Sequence, residues 1–380
     1  MLEKNFLFLK KYAVTIASLI TCSILIYSTL FVISQRHHTK PYLYVHDGVI
    51  QVEEAIKFLL EGKNPYTENY FETPLKNWGG LAELNGVNPA LYHLTYLPFN
   101  IIFSIPFFMA SNLLLGWFDE RFVYIFSFLL VIGAILKWPN KSSWAKLIFT
   151  ILIVVNPFFQ IYFIEGRNDI FVFSWIFLSI YFLNSGKINY SALTLAFAVT
   201  SKQTAWFLLP FYFCHLYYNE PVNFNFLEKV KDILKKTKLF FITTAIIIVP
   251  FLLWDFRSFI DDIIKYSSGT ATNSYPISAE SMKFGFQHLI LRLGLVKSPF
   301  DYWPFWIPQF IFGLPLLYIL LKMQKKNNSL GQIIFNYFLL LLTFWSFSRF
   351  FNNNYIGVLI ILFAFAIFLD LDRKIAIKSK

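Results

Sequence analysis

Long apolar runs alternate with short polar connections along the whole of this chain. A helix that crosses a bilayer needs about 20 mainly apolar residues. The runs at 12–33, 89–116, 120–137, 145–163, 169–184, 188–201, 203–218, 238–254, 301–321, 332–348 and 355–371 reach or approach that length. The pattern predicts an all-α, polytopic transmembrane helical bundle of about 11–12 spans, forming one domain over 1–380 with no separate soluble domain. Residues 284–297 fit an interfacial or re-entrant piece. No internal repeat is evident. The longest polar connections are 34–88, 219–237 and 255–283.

The first of these connections has a period of its own. Val49, Val52, Ile56 and Leu59 share a face over 49–61, while Gln51, Glu54 and Glu61 fall off it. That spacing predicts an amphipathic helix. Gly62 suits the position just past the helix end, and Pro65 follows as a stop. Asp47 stands at the head of the stretch, where two compatible roles fit. It can cap the helix by accepting free backbone N–H groups, and it can act as a general base at the membrane surface. Glu53 and Glu54 read as a solvated helix face or as a second carboxylate source.

Composition agrees with the pattern. The chain of 380 residues is 57% hydrophobic and 21% aromatic, and only 14% of it is charged, against roughly a quarter in soluble domains. The net charge of +11 comes from lysine clusters between apolar runs. The positive-inside rule explains these without nucleic acid, and no basic groove or stacking module points to nucleic acid as a partner. Cys22 and Cys214, both in apolar runs, form no CxxC pair or disulfide framework. Lys4, Lys10 and Lys11 precede a run too long for a cleaved leader, so a retained signal anchor is expected.

Lysine also sets orientation. The N-terminus, Lys137/Lys141/Lys146, Lys187, Lys229 to Lys238, Lys322/Lys325/Lys326 and Arg373 to Lys380 belong on the cytoplasmic side. This requires 89–116 to form a hairpin broken near Pro98 and Pro106, or to line the outer surface. A single crossing would flip every later loop. The outer set is then 34–88, Glu165 to Asp169, Ser201 to Gln203, 255–283 and Arg349 to Tyr355.

Ionisable residues in such tight connections are candidates for function, because desolvating them is costly without a partner. Arg167 and Asp169 fit a mutual ion pair or a substrate site. Lys202 and Arg349 fit either a cation that snorkels to headgroups or a clamp on a phosphate. His46, His93 and His288 are scattered, and no HExxH or comparable spacing calls for a metal or any other cofactor. No P-loop, GxGxxG or GxSxG elbow is present.

The chain resembles polytopic glycosyltransferases of the GT-C superfamily, most closely the GT87-like mannosyltransferases that use polyprenyl-phosphate mannose. The resemblance rests on motifs in the family's order over most of residues 40–360. They are Asp47 with Gly62-Lys63-Asn64-Pro65-Tyr66, Asn88-Pro89-Ala90-Leu91-Tyr92 to Pro98, Asn156-Pro157 leading to Glu165-Gly166-Arg167-Asn168-Asp169, Ser201-Lys202-Gln203, and Arg349 to Tyr355. Gly166-Arg167-Asn168-Asp169 stands where the family often has Gly-Gln-x-Asn. No second acid adjoins Asp47, which disfavours a paired-aspartate metal site.

The resemblance implies transfer of a hexose from a polyprenyl-phosphate sugar to a glycan, glycolipid or protein acceptor on the extracytoplasmic face of a multi-pass protein of the cell membrane. Asp47 would be the catalytic base in an inverting reaction. Lys202, Arg349 and Arg167 would bind the donor phosphate, and Asp169, Asn168, Glu54 and Tyr355 the substrate. A transporter or lipid flippase is the main alternative, but it would place its charges near the bilayer midplane, often with repeat symmetry.

Overall fold

The computed structural model describes residues 2–38, 44–78, 88–277 and 285–378, with the side chains of 12–371 among them. The basic residues Lys4, Lys10, Lys11 and Arg373 to Lys380 therefore lie outside the described side chains. Among the described residues, helix is the only regular structure. The chain is an all-helical bundle built for a lipid bilayer.

The helices are α1 (Leu2–His38), α2 (Asp47–Leu60), α3 (Pro98–Leu115), α4 (Arg121–Leu136), α5 (Ser143–Val154), α6 (Pro157–Glu165), α7 (Asp169–Asn184), α8 (Ile188–Val199), α9 (Leu209–Asn219), α10 (Phe226–Lys236) and α11 (Lys238–Trp254). Phe256–Ile260 (α12) passes through a π-helical turn at Asp261–Lys265 into Tyr266–Ser268 (α13). Then come α14 (Phe286–Arg292), α15 (Trp306–Lys326), α16 (Leu330–Ser346) and α17 (Asn353–Lys378).

Among the described residues, four helices are long and apolar enough to cross a membrane: α1, α3, α15 and α17. The bent pairs α5/α6 (60°) and α10/α11 (58°) raise this to six. Helices α4, α7, α8 and α16 are apolar but shorter. The expected 11–12 spans are thus not all full-length helices. The run 203–218 divides into a 3-10 turn, Gln203–Leu208, and the 11-residue α9. Pro210 lies in the first turn of α9, where its missing N–H is no loss.

One apolar core, from Cys22 to Phe368, joins the bundle. It has two ends. At one, Trp138 packs on Tyr181 at the tail of α7 and on Phe368 in α17, and Lys141 Nζ donates to Leu369 O. Asn328 meets His215 of α9, and Ser329 Oγ donates to Asp370 there. This end carries Lys137, Lys141, Lys187, Lys236 and Lys326. The other end carries α2 and the heads of α4 and α7.

Helix α3 is one continuous helix. Pro98 starts it and Pro106 sits inside it, so neither proline makes the expected hairpin. Its head lies at the α2 end, with Phe99 N–H donating to Thr200 O and Asn100 Nδ2 to Ser201 O. The chain that leaves it returns to the same end. Glu120, just before α4, accepts from Ser104 of α3, and its N–H donates to Glu53 of α2. Both connections of α3 therefore share one end of the bundle, as the orientation argument requires.

A buried charge network ties that end together. Arg36, in the last turn of α1, bonds both oxygens of Glu53 (2.9 and 2.7 Å) and Asp119 (2.8 Å). Arg121 forks onto Asp119 (2.8 Å twice) and donates to Tyr44 O and Ile164 O. Burial pushes the Asp119 carboxyl up, but Arg121, His37 and Arg36 hold it well below its usual range. Glu53 and Glu54 are both buried, not the solvated face their spacing suggested. Glu53 turns inward because Arg36 neutralises it, a pairing that helical period alone cannot reveal.

Candidate functional site

Helix α2 runs over 47–60, as its period predicts, and buries Val49, Ile50, Val52, Ala55 and Ile56. It ends in a Schellman motif. Gly62 (φ 76°) donates to Leu59 O, and Lys63 donates to Phe58 O. Asn64 Oδ1 then takes the Tyr66 N–H at 3.1 Å, a side-chain turn that brings Tyr66 back across the helix. The Tyr66 hydroxyl donates to Tyr96 O at 2.7 Å. The Gly62-to-Tyr66 motif thus fixes Tyr96, and Tyr96 is what lies against the head of α2.

The residue capping α2 is His46, not Asp47. His46 has extended backbone and its Nδ1 accepts from Gly48 N–H. Asp47 is the first helical residue, with Oδ1 accepting from Gly48 N–H (2.8 Å) and Oδ2 from Asn88 Nδ2 (3.2 Å). Its side chain keeps 15% of its surface, enough to meet a ligand. Asn88 works at both of its ends, since its Oδ1 also caps the turn at Pro89–Leu91 through Ala90 N–H. Gly48 is required here. A Cβ on it would lie 1.8 Å from the Tyr96 hydroxyl.

A second cluster forms where α7, α8 and α17 meet. Lys202 Nζ donates to Asp169 Oδ1 (2.7 Å) and Asn168 Oδ1 (2.9 Å) and stands 6.0 Å from the Tyr355 ring centroid. Asn354 donates to the other Asp169 oxygen, and Arg167 Nη1 donates to Asn354 Oδ1 at 3.2 Å. Arg167 also pairs with Glu165 (3.2 Å) and lies over Tyr162. Asn354 thus bonds Asp169 on one side and Arg167 on the other.

The two clusters are neighbours. His46 N–H donates to Glu165 O at 2.9 Å, and Gly166 (φ 100°) packs so tightly on Val49 that a Cβ would come within 2.4 Å. Tyr96 lies between the charges. Burial raises its hydroxyl well above the usual phenol range, and Asp47 and Asp169 raise it further against Arg167. Against Arg167, Asp169 and Asn354 lies a slit with room for about one water molecule, walled by Phe158, Tyr162, Phe163 and Val358. A polar head thus meets an aromatic and aliphatic wall.

Two expected site residues have other partners. Arg349 donates to the carbonyls of Tyr275, Asp301, Pro299 and Phe300. Burial lowers its pKa to about 10, so it stays charged at neutral pH. It anchors the loops around the α16–α17 turn. Glu54 pairs with Lys57 (2.6 Å), two turns along α2 from Asp47.

Sequence reasoning missed three contributors. Tyr96 carries no motif chemistry, and Asn354 sits in a run of three asparagines whose members look alike. His93 looked scattered, yet its Nδ1 lies 2.7 Å from Asp262 Oδ1 and its Nε2 donates to Thr272 O (2.6 Å). Among the described residues no group of three or more His, Cys, Asp or Glu is placed to hold a metal ion.

The fold and site together define a multi-pass helical membrane protein with a polar constellation at one end of the bundle. No protein-family model matches this chain, and no curated protein matches it significantly.

Proposed function

We propose that this chain is an integral membrane glycosyltransferase of GT-C type. It moves a hexose, mannose being the leading candidate, from a polyprenyl-phosphate donor to a hydroxyl acceptor at the extracytoplasmic surface. One observation carries the reading. A partly exposed carboxylate, Asp47, stands at the same end of the bundle as a cation cluster of Lys202 and Arg167, and the His46 N–H bond to Glu165 O ties the two together. Such an array suits a substrate with a hydroxyl to deprotonate and a phosphate to neutralise.

In this mechanism Asp47 Oδ2 takes the proton of the acceptor hydroxyl. The acceptor oxygen attacks the anomeric carbon from the face opposite the phosphate. The bond from that carbon to the phosphate oxygen breaks, configuration inverts, and polyprenyl phosphate leaves with the electron pair. Lys202 and Arg167 offset the charge developing on the departing phosphate. Asn88 holds Asp47 in line, and Asp169 and Asn354 hold the two cations. The polyprenyl tail extends into the bilayer beside the bundle, where burying apolar surface is favourable. Arg349 supports the surrounding loops in this scheme, and the donor phosphate falls to Lys202 and Arg167.

The test is reconstitution of the chain in vesicles with a panel of polyprenyl-phosphate sugars and hydroxyl acceptors. Transfer with inverted anomeric configuration is expected, and Lys202→Ala should raise the donor KM about tenfold or more, as loss of a charge-assisted contact does. Movement of an intact lipid-linked sugar across the vesicle without transfer would replace this reading with that of a flippase.

A further inference from the structure

Helix α10 sits at the lysine-bearing end of the bundle, far along the chain from the site, and no part of the proposed transfer uses it. Its 11 residues are too few to cross a membrane, and a 58° bend at Thr237 joins it to the apolar α11. Its sequence is sharply two-faced. Phe226, Leu227, Val230, Ile233 and Leu234 fall on one side. Ile233 is buried against the bundle, whereas Phe226, Leu227 and Leu234 are 65%, 74% and 48% exposed. Three large apolar side chains on one polar helix need a cover other than water.

Charge identifies the cover. Lys231 flanks the exposed apolar face at its Leu227 edge, and Lys235 lies one turn on. Both are exposed, and no ion pair engages either among the described residues. The acids of the helix stand away from that edge. Asp232 and Glu220 share Lys236 (2.6 and 2.7 Å), and Glu228 closes the capping box on Asn225. Lys229 lies over Tyr217. Beside the helix, Lys187 and Lys236 line a cleft with Tyr190 at the head of α8. An apolar stripe edged by free lysines, fused to a spanning segment, matches a leaflet surface rich in anionic phospholipid. A protein partner would have to bury the same stripe against lipid-facing neighbours.

We propose that α10 lies in the plane of the membrane, with Phe226, Leu227 and Leu234 among the acyl chains and Lys231, Lys235 and Lys187 on anionic headgroups.

The test uses the full chain carrying Cys22→Ala and Cys214→Ala, reconstituted in phosphatidylcholine vesicles with or without phosphatidylglycerol. A fluorophore is placed in turn through Leu227→Cys, Leu234→Cys and Glu228→Cys. Labels at the first two positions are expected to be quenched by brominated lipid and shielded from iodide, and the label at Glu228→Cys the reverse. Brominated phosphatidylglycerol should be enriched over brominated phosphatidylcholine near Leu227. Lys231→Gln should cut that enrichment by about fivefold, the equivalent of about 1 kcal/mol per surface lysine, and 1 M salt should abolish it. Lys231 and Glu228 are both exposed, and in Glu228→Cys the Asn225 side chain still caps the helix through the backbone N–H of position 228. Iodide reaching all three labels equally would overturn the in-plane placement, whether water or a soluble partner covers the stripe. Equal quenching by the two lipids would overturn the headgroup assignment.

Discussion

At the scale of single residues, the site depends on what small or flat side chains allow. Gly48 lets the Tyr96 hydroxyl lie against the backbone beside Asp47, where a Cβ would come within 1.8 Å. Gly48→Ala should therefore displace Tyr96 or tilt the first turn of α2. We expect at least a tenfold loss of transfer, from misplacement of about an ångström near the reacting atoms, with thermal stability lowered by about 1–3 kcal/mol from overpacking. Full activity with unchanged stability would mean that Tyr96 relaxes freely. His93 is the second informative residue. Both of its ring nitrogens face acceptors, Asp262 and Thr272 O, so only the imidazolium, or a protonated Asp262, satisfies all partners.

That geometry sets a pH dependence. Burial works against the charged ring, but the bonds to Asp262 and Thr272 O raise the His93 pKa above 6.5. Burial pushes Asp262 up to about 6, with His93 and the Leu94 N–H pulling against it and Asp261 adding to it. A folded-state pKa raised for His93 means stability that is fully present below pH 6.5 and lost as pH rises through the raised value. Asp262 has the same sign, since its favoured protonated form is lost as pH rises from about 4 through about 6. The contact between 261–272 and 88–94 should loosen with rising pH. Exchange of the Leu94 amide, corrected for its intrinsic rate, checks this: it should accelerate above neutrality, and His93→Phe should abolish the pH effect.

Among the elements, α2 is the organising piece, and it is pinned by charge as much as by its apolar face. Arg36, Glu53, Asp119 and Arg121 connect α1, α2 and α4 with almost no access to water. Removing one member leaves the others buried and uncompensated, so Arg36→Ala should destabilise the protein by about 3–5 kcal/mol. Thermal unfolding in detergent measures it, and a loss below about 1 kcal/mol would show that the network is dispensable. Replacing Arg36 and Glu53 together by apolar residues should cost less than Arg36→Ala alone.

The amphipathic period made α2 legible in the sequence to within two residues, and Gly62 its end. Glu53 was illegible there, because its partner is 17 positions away on another helix. Lys202, Arg167, Asp169 and Asn168 were readable as charges and an amide in tight connections, Asp47 as the acid at the head of the amphipathic stretch, and Tyr355 through the family resemblance; the structure gathers them at one end of the bundle. Arg349 looked equivalent in sequence but differs in surroundings, because backbone carbonyls from 275 and 299–301 fold around it. Asn88, Asn354 and Tyr96 are positioning groups, and a positioning role shows only when the chain is folded.

For the whole molecule, lysine placement and packing agree. Pairing of the helices puts Lys137, Lys141, Lys187, Lys236 and Lys326 at the end opposite α2, and α3 keeps the parity by starting and finishing at the α2 end. Apolar runs located the helices well, but they overstated how many are full spans. A window of hydrophobicity does not distinguish a crossing helix from one that packs across the bundle, as α3 does, or from a broken one such as 203–219. What the whole arrangement supplies is a polar site held by buried charge at the head of an apolar bundle. Its central claim is that Asp47 is the base for transfer from a lipid-linked sugar. The most direct measurement compares single-turnover transfer by the parent chain and Asp47→Asn in the same vesicles, using the best donor from a polyprenyl-phosphate sugar panel. The amide keeps the bond from the Gly48 N–H through its oxygen and gives up only the one from Asn88 at the partly exposed edge of the site, so folding and donor binding should persist, while the transfer rate should fall by about 100-fold or more. Transfer at the parent rate by Asp47→Asn would contradict the account.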